Sequence, residues 1–332
     1  MSYRTGGADN EAVVIEARGL CRRFRTRRRS VYVQAVTDLD LAVRCGETFG
    51  LLGADGAGKT TTLRLLNGLL VPDRGQAHVA GFDVVKESRS LHQQAGYMPQ
   101  QFALYGDMSV LENLAFFAEL YGLTAEQRAE RIPRLMRFAR LEEFGGRLAA
   151  KLSGGMKKKL ALACMLVHEP DIIFLDEPTL GVDPVSRREF WSLLSDLRAE
   201  RDLTIFVCTP YMDEAERCTR VGLLHHGRLI ACDRPDVITR MVPGNLVELR
   251  PVSLYAARDV VQGLEGVLEV QTFGDRLHVF LDDVGQGVPR LEAALASQGI
   301  GHSGVRRIEP RMEEAFVSLV RSQERSDRKA AG

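Results

Sequence analysis

Two short stretches of the chain are almost continuously apolar, and both are predicted to be buried strands. The first covers residues 48–52 and the second covers residues 171–175. Parallel strands that are covered on both faces have this composition. Leucines at helical spacing follow the first stretch over residues 60–69, and strands alternate with helices over residues 171–240. This alternation predicts an α/β fold with a parallel core sheet.

The region between the two apolar stretches has a different pattern. Residues 13–96 are predicted to contain antiparallel strands that lead into the first helix, whereas residues 102–166 have a helical periodicity. Residues 1–10 are expected to be disordered. The apolar positions that share one helical period are Val110, Leu111, Leu114, Phe116, Phe117 and Leu120.

The pattern changes again after Pro243 and Gly244, and it predicts a second, smaller α/β domain over residues 243–320. The predicted elements are a strand over 246–249, a helix over 254–264, a hairpin of strands 267–273 and 276–281 around Gly274 and Asp275, a helix over 288–297, and a last helix that opens within 309–316. Residues 321–332 are expected to form a frayed tail.

The first candidate site lies between the strand 48–52 and its helix. Residues 53–61 fit the pattern G-x-x-x-x-G-K-[ST], in which backbone N–H groups and a helix N-terminus bind phosphate oxygens. Lys59 is expected to neutralise the β- and γ-phosphates, and the Thr60 hydroxyl to bind Mg²⁺. The predicted nucleotide-binding residues of this loop are Gly53, Asp55, Gly56, Ala57, Gly58, Lys59, Thr60 and Thr61.

Two adjacent carboxylates end the second apolar strand. Asp176 and Glu177 follow residues 171–175, at the strand end where open α/β sheets bind their ligands. Asp176 is expected to hold the metal ion through water. Glu177 is expected to orient and deprotonate an attacking water molecule, which makes it the predicted catalytic residue together with Lys59.

A third motif, L-S-G-G-M at residues 152–156, opens the helical stretch that precedes the acidic strand. Ser153 is a predicted N-cap, and the two glycines leave the helix N-terminus open to an anion. Ser-Gly-Gly by itself is a common loop and cap. Its place between the phosphate loop and the paired carboxylates makes the interpretation specific.

These three motifs together resemble those of the ATP-binding cassette (ABC) family, over about residues 13–237. The resemblance implies a P-loop NTPase cassette over residues 11–242, with antiparallel N-terminal strands, a parallel core sheet and a helical subdomain at about 102–166. It also implies a head-to-tail dimer. In that dimer Ser153, Gly154 and Gly155 contact ATP that the partner cassette holds.

Further residues match the family's pattern. The resemblance implies that Gln100, in the G-Y-M-P-Q run, touches Mg²⁺ and links to a membrane subunit, and that Asp183 lies in the loop crossing the dimer interface. Phe24 stands where the family stacks an aromatic ring on adenine, although a core aromatic is the alternative. The candidates for contact with the membrane subunit are Phe102, Tyr105 and Met108.

One residue departs from the family's pattern in a way that affects the chemistry. Pro210 stands where the family has a switch histidine that donates a hydrogen bond to the γ-phosphate. Proline has neither a side-chain donor nor a backbone N–H, so the chain's own ATP site is expected to be impaired. The alternative is that Glu177 carries hydrolysis alone. Asp55, where asparagine is usual, is a minor departure, and His225 and His226 are interpreted as an exposed turn.

The altered switch bears on the partner cassette. If each ATP lies between one phosphate loop and the partner's L-S-G-G-M motif, a homodimer lacks the switch histidine at both sites. A different partner cassette leaves one complete site, and this second arrangement is favoured.

Composition adds limits to these expectations. The formal net charge of the 332 residues is +0, which gives no general attraction to nucleic acid. There is no recognisable signal peptide and no apolar run long enough to span a bilayer, so the predicted location is the cytoplasmic face of the membrane, with separate membrane subunits. The scattered cysteines are interpreted as reduced thiols: Cys21, Cys45, Cys164, Cys208, Cys218 and Cys232. The basic run is interpreted as a solvated hairpin between the first two strands: Arg22, Arg23, Arg25, Arg27, Arg28 and Arg29.

The predicted function is that of the ATP-binding and ATP-hydrolysing subunit of an exporter for a hydrophobic, drug-like compound, with ATP and Mg²⁺ as cofactors. The C-terminal domain resembles that of drug-exporter cassettes of the daunorubicin-resistance type. Two alternatives stay open: an ABC ATPase without a transport role, and a regulatory module that binds ATP and hardly hydrolyses it.

Overall fold

The computed structural model describes residues 12–25, 32–101 and 104–331, with side chains described as far as residue 328. The predicted disordered N-terminus, Arg27 to Arg29 of the basic run, and Phe102 lie outside the described residues. Two compact units meet in sequence between Cys232 and Asp233. No helix in the described ranges is long and apolar enough to cross a membrane.

The first unit contains an antiparallel sheet with the strand order β2-β1-β4-β5. Its strands are β1 (Val13–Arg25), β2 (Tyr32–Arg44), β4 (Arg74–Val79) and β5 (Phe82–Asp83), while β3 belongs to the next sheet. β1 and β2 pair as far as Arg25 and Tyr32, which agrees with the predicted hairpin. The antiparallel N-terminal strands are therefore confirmed.

A six-stranded sheet with the order β10-β9-β3-β8-β7-β6 forms the centre of the first unit. Its strands are β3 (Thr48–Leu52), β6 (Ala95–Met98), β7 (Ile172–Asp176), β8 (Thr204–Thr209), β9 (Arg220–His225) and β10 (Arg228–Asp233). β3, β7 and β8 are buried along their whole length, and the pairs β3–β8, β8–β7 and β7–β6 are parallel. The carboxyl ends of β3, β8, β7 and β6 therefore meet at one edge, where the predicted site residues follow.

The helices of the first unit pack around these sheets. They are α1 (Lys59–Leu66), α2 (Ser88–Gln94), α3 (Val110–Leu120), α4 (Ala125–Ala139), α5 (Gly154–Leu166), α6 (Pro184–Arg201) and α7 (Met212–Ala215). Leu63, Leu65 and Leu66 of α1 belong to one buried apolar cluster with residues of both sheets. This packing holds the N-terminus of α1 beside the ends of the parallel strands.

The helix α1 ends three residues before the predicted end at Leu69. Gly68 has a positive φ of 67°, and a Cβ there would lie 2.4 Å from the Val84 carbonyl oxygen. The leucine spacing continues past this left-handed turn, so the periodicity overestimates the helix length.

The predicted helical subdomain is present as α3, α4 and α5, with short 3-10 turns at residues 142–144 and 149–151. Both α3 and α4 begin with capping boxes, at Ser109 and Thr124. Val110 and Leu114 are buried, whereas Leu120 of the same predicted apolar set is exposed. Tyr105, a predicted contact for a membrane subunit, is also exposed and packs its ring 4.6 Å from that of Phe116.

The second unit is a four-stranded antiparallel sheet with the order β12-β13-β11-β14. Its elements are α8 (Pro235–Ile238), a 3-10 turn (Thr239–Met241), β11 (Asn245–Pro251), α9 (Leu254–Val261), β12 (Val267–Phe273), β13 (Arg276–Leu281), α10 (Val284–Ser297), β14 (His302–Arg307) and α11 (Met312–Ala331). The hairpin of β12 and β13 has the predicted bounds. α10 begins earlier than predicted because Asp283 caps it, accepting a hydrogen bond from the Gln286 N–H at 2.8 Å.

The prediction of a frayed tail from Arg321 is wrong, because α11 continues to Ala331. Ser318 and Arg321 on this helix donate to the two carboxylate oxygens of Glu269, at 2.8 and 2.9 Å. Arg321 also donates to the Val270 carbonyl at 3.0 Å. The helix is thus held by polar contacts, which apolar periodicity cannot reveal.

A charged cluster centred on Glu248 lies beside a cavity of about 560 Å³ in the second unit. Glu248 accepts hydrogen bonds from Arg276 at 2.8 Å, Arg306 at 2.7 Å and the His278 ring at 3.3 Å. Burial opposes ionisation of Glu248, but these three donors outweigh it and lower its pKa from 4.5 to about 2. The charges of this cluster are largely satisfied by one another.

We expect Glu248→Gln to lower the free energy of unfolding of the second unit by about 1–2 kcal/mol at pH 7, since the hydrogen bonds to a carboxylate are lost while Arg306 is partly solvent-screened. The stabilisation by Glu248 is fully present above its unfolded-state pKa and is lost as the pH falls toward about 2. Thermal unfolding measured from pH 7 to pH 3 should therefore depend less on pH in the variant. The exposed Glu309→Gln serves as the control, and an equal effect of the two substitutions would contradict the cluster's role.

Candidate functional site

The phosphate loop joins the end of β3 to the start of α1, and two of its glycines are sterically required. A Cβ on Gly58 would lie 2.2 Å from the Ala35 carbonyl oxygen, and φ at Gly58 is 108°. A Cβ on Gly53 would lie 2.5 Å from the Leu224 carbonyl oxygen. Gly56 has a positive φ of 79° but open space around it. The loop is thus built close against neighbouring backbone, with Asp55 exposed at its tip.

Lys59 points back into this loop. Its ammonium donates to the carbonyl oxygens of Gly53 at 2.9 Å and Ala54 at 3.1 Å. It also lies 3.5 Å from Oε1 of Glu177, and its side chain is 4% exposed. A buried ammonium at this position is available to a bound anion. Ala57, Thr60 and Thr61 complete the loop and the first turn of α1.

Asp176 ends β7 directly beside α1. Its Oδ1 accepts a hydrogen bond from the Thr60 hydroxyl at 2.9 Å. Its Oδ2 is buried and has no hydrogen-bond partner among the described residues. Burial, foremost, raises the pKa of this carboxyl, although the Thr60 hydrogen bond opposes the shift. An uncompensated carboxylate oxygen in this place indicates a missing cationic partner.

Glu177 follows in a left-handed backbone conformation, with φ at 48°, which turns its side chain away from the strand direction. Its N–H donates to the Cys208 carbonyl at 2.9 Å, which fixes the residue to β8. Its Oε2 accepts from the Gln100 amide at 2.9 Å, while Oε1 faces Lys59. The carboxylate is therefore held from two sides.

Gln100 reaches Glu177 from the loop after β6, and a lysine on α5 holds that loop. The Lys158 ammonium donates to the Gln100 carbonyl at 3.0 Å. Burial lowers the pKa of Lys158, and the nearby Asp176 and Glu177 charges oppose this shift. Sequence reasoning missed Lys158, because three adjacent lysines give no sign of which one faces the site.

The donors near Asp176 fit a hard divalent cation. Thr60 and Gln100 offer oxygen atoms, and the unpartnered Oδ2 of Asp176 adds a carboxylate oxygen. No group of three or more His, Cys, Asp or Glu residues within the described ranges could hold a metal ion by itself. This sparse set suits Mg²⁺, which usually keeps several waters and takes further oxygens from substrate phosphates.

The L-S-G-G-M motif and the Asp183 loop lie next to each other. Ser153 caps α5 by accepting from the Met156 N–H at 3.3 Å, and Asp183 caps α6 by accepting from the Ser186 N–H at 2.9 Å. A Cβ on Gly155 would lie 2.5 Å from the Ser186 side chain. Hydrogen bonding from the Ser186 backbone lowers the pKa of Asp183. The exposed Gly154 and Ser153 therefore sit at a helix N-terminus that is packed against a second one.

Phe24 lies near the end of β1, opposite Val33 on β2. Its ring is 39% exposed, and the Arg22 guanidinium lies 5.0 Å from the ring centre. The core alternative for this residue does not describe its environment, because the ring is not part of a buried cluster.

Pro210 follows β8, between the strands that carry the phosphate loop and Asp176. Its neighbours are ordered by the buried Glu214, which accepts from the hydroxyls of Thr209, at 2.6 Å, and Thr179. The Arg187 guanidinium lies 4.1 Å from the centre of the Tyr211 ring. The segment is thus fixed by side chains other than Pro210. Glu214 was not singled out from the sequence, since one acidic residue in an exposed-looking helix carries no signal of burial.

The two histidines at 225 and 226 lie at the turn between β9 and β10, as predicted. His226 is exposed and has a positive φ of 46°, and the two imidazole ring centres are 4.1 Å apart.

We expect Asp176→Asn to raise the free energy of unfolding of the ligand-free chain by about 1–2 kcal/mol, because it removes a buried charge that lacks a partner. A carboxyl with a raised folded-state pKa destabilises the fold once it ionises, so the gain should be larger at pH 8 than at pH 5. Denaturant unfolding at both pH values checks this. Asp196→Asn, on the exposed side of α6, is the control, and a destabilised Asp176 variant would contradict the expectation.

Comparison with known proteins supports the interpretation of these motifs. The family model described as "ABC transporter" matches residues 36–180. The "Probable multidrug ABC transporter ATP-binding protein YbhF" of Escherichia coli (strain K12) is 40% identical over 317 residues. That alignment covers 94% of this chain and 52% of the relative, so the chain spans about half of the relative's length.

Among solved structures, one described as "Structure of ATP binding subunit of ABC transporter" aligns with a TM-score of 0.60 and 30% identity, covering 68% of this chain and 92% of the other. A dimeric cassette in a post-hydrolysis state bound to ADP and Pi has the same fold, with a TM-score of 0.60 and 24% identity, over 66% of this chain and 98% of the other.

A shorter relative is covered almost completely. The "Nod factor export ATP-binding protein I" of Cupriavidus metallidurans is 37% identical over 288 residues, which cover 86% of this chain and 91% of that protein. The phosphate loop, the paired carboxylates and the L-S-G-G-M helix occur within this shared length in one α/β unit. The chain therefore belongs to the family of ABC transporter ATP-binding proteins.

Proposed function

We propose that this chain binds and hydrolyses ATP as the motor subunit of an exporter. The observation that carries the proposal is the Glu177 carboxylate, held between the Lys59 ammonium at 3.5 Å and the Gln100 amide at 2.9 Å. This carboxylate lies next to Asp176, whose second oxygen has no partner among the described residues. A base, a phosphate cradle and a cation site in one place are the parts that hydrolysis of a nucleoside triphosphate requires.

Each residue of the site then has a role in the reaction. The loop backbone from Gly53 to Gly58 binds the β- and γ-phosphates, and Lys59 leaves its two carbonyl partners to neutralise their charge. Thr60, Gln100 and Asp176 hold Mg²⁺, directly or through water, and the bound ion supplies further charge neutralisation. Glu177 orients the water molecule and accepts its proton during in-line attack on the γ-phosphate. The exposed ring of Phe24 stacks on the adenine.

Pro210 weakens this chemistry at the chain's own ATP site. The segment around it is fixed by Glu214, Thr209 and Thr179, so a side chain at 210 would be well positioned to donate a hydrogen bond. Proline cannot donate one. Loss of one positioned donor commonly lowers the rate by about 10²–10³-fold. We infer slow hydrolysis with ordinary nucleotide binding.

The second cassette required by this scheme comes from another chain. Ser153, Gly154 and Gly155 would contact the partner's ATP from the N-terminus of α5, and Asp183 lies beside them at the N-terminus of α6. A partner with an intact switch would hold the faster of the two sites. The partner's own motif would in turn close over Lys59 and Glu177, and the two cassettes would separate after hydrolysis.

Export is the process that the relatives' names favour, since one is named for multidrug transport and the other for Nod factor export. We infer that this chain works at the cytoplasmic face of the membrane with separate membrane subunits, which select a hydrophobic, drug-like compound. Closure of the two cassettes would reach those subunits through the Gln100 loop and the helical subdomain.

We expect Pro210→His to raise the kcat of ATP hydrolysis by the purified chain by about 10²-fold, because it restores a donor at the γ-phosphate. Pro210→Ala, which restores a backbone N–H but no side-chain donor, should stay near the wild-type rate. Adding Glu177→Gln to the histidine variant should abolish turnover. Steady-state release of inorganic phosphate measures all four chains.

Two results would contradict the weakened site. Brisk wild-type turnover that histidine does not increase would show that Pro210 is tolerated and that a homodimeric motor is the better account. A long-lived ATP-bound dimer without any turnover, in the wild type and in Pro210→His alike, would favour the regulatory module, the alternative that the altered switch supports.

A further inference from the structure

We propose that Lys158 is a positioning residue that couples helix α5 to the base Glu177 through the loop of Gln100. The inference rests on the proposed function, because it assigns Lys158 a part in the nucleotide site of the same chain. Lys158 would not touch the nucleotide. It would set where the Gln100 amide stands, and so how Glu177 and the cation site are held.

Two hydrogen bonds and one ion pair form a continuous path between these groups. The Lys158 ammonium donates to the Gln100 carbonyl at 3.0 Å, and the Gln100 amide donates to Oε2 of Glu177 at 2.9 Å. The other oxygen of Glu177 faces the Lys59 ammonium at 3.5 Å. Gln100 is exposed and lies in a loop rather than in a strand, so the loop itself gives its side chain little support.

The neighbouring lysines show that this contact is specific to position 158. Lys159 is buried and pairs with Glu189 of α6. The Lys157 ammonium has no partner among the described residues. Only the middle lysine of the three turns toward the loop of Gln100 in the part of the chain that the structure describes. Helical geometry separates adjacent side chains by 100°, which explains why the three have different partners.

The same helix begins at the motif that is proposed to meet the partner's ATP. Ser153 is the N-cap of α5, and Lys158 lies five residues further on, about 7.5 Å along the helix axis. A helix moves as a rigid element over this distance. A displacement of the N-terminus of α5 on contact with the partner's nucleotide would therefore be passed to Gln100 and Glu177. Lys158 links the two ATP sites of a dimer in this scheme.

The test compares Lys158→Met, which keeps the length of the side chain without its donors, with Lys157→Met as the matched control. Fluorescent ATP binding is titrated with Mg²⁺ in the full-length chain, so the readout does not depend on turnover. We expect Lys158→Met to weaken the apparent Mg²⁺ affinity about fivefold, because Gln100 loses the donor that holds its loop. Nucleotide binding in EDTA should be unchanged, and Lys158→Arg should recover most of the loss.

A double-mutant cycle with Gln100→Ala separates positioning from a general structural effect. If Lys158 acts through Gln100, Lys158→Met should change the Mg²⁺ affinity less than about twofold once Gln100 is alanine. Fully additive losses, or equal behaviour of the Lys158→Met and Lys157→Met chains, would overturn the inference alone. A wild-type chain without any Mg²⁺-dependent nucleotide binding would overturn the proposed function and this inference with it.

Discussion

The position of the Glu177 carboxylate is the constraint on which the rest of the site depends. Its backbone is turned into a left-handed conformation and bonded to β8 through the Cys208 carbonyl. Lys59 and Gln100 then hold the two carboxylate oxygens from opposite sides. These contacts draw on three separate elements, α1, β7 and the loop after β6. The order of the parallel strands is what brings those elements to one edge.

The site is also a place where the fold is not at its most stable. Asp176 is buried with one oxygen lacking a partner among the described residues, and Glu177 has a backbone conformation that non-glycine residues rarely adopt. Both features are costly without a ligand and become useful with one, since a bound cation would partner Asp176. The surrounding core, with α1 packed between two sheets, holds these groups in place.

Much of this arrangement was predictable from the sequence, for identifiable reasons. The phosphate loop, the acidic end of β7 and the hairpin of β12 and β13 are local patterns in which each residue type has a direct physical meaning. The Lys158 and Glu214 contacts were not predictable, because each pairs with groups far away along the chain. The extension of α11 was missed for a related reason: Arg321 and Ser318 bind Glu269, and no apolar period records such polar contacts. The effect of Pro210 stays a prediction.

Equilibrium binding of ATP to the purified chain, measured by calorimetry with and without Mg²⁺, tests the central claim most directly. The account predicts saturable binding of one nucleotide per chain that Mg²⁺ strengthens and that Lys59→Ala abolishes, whatever the rate of hydrolysis. Binding that is absent, or equal in the wild type and the Lys59→Ala chain, would contradict the claim that these residues form a nucleotide site.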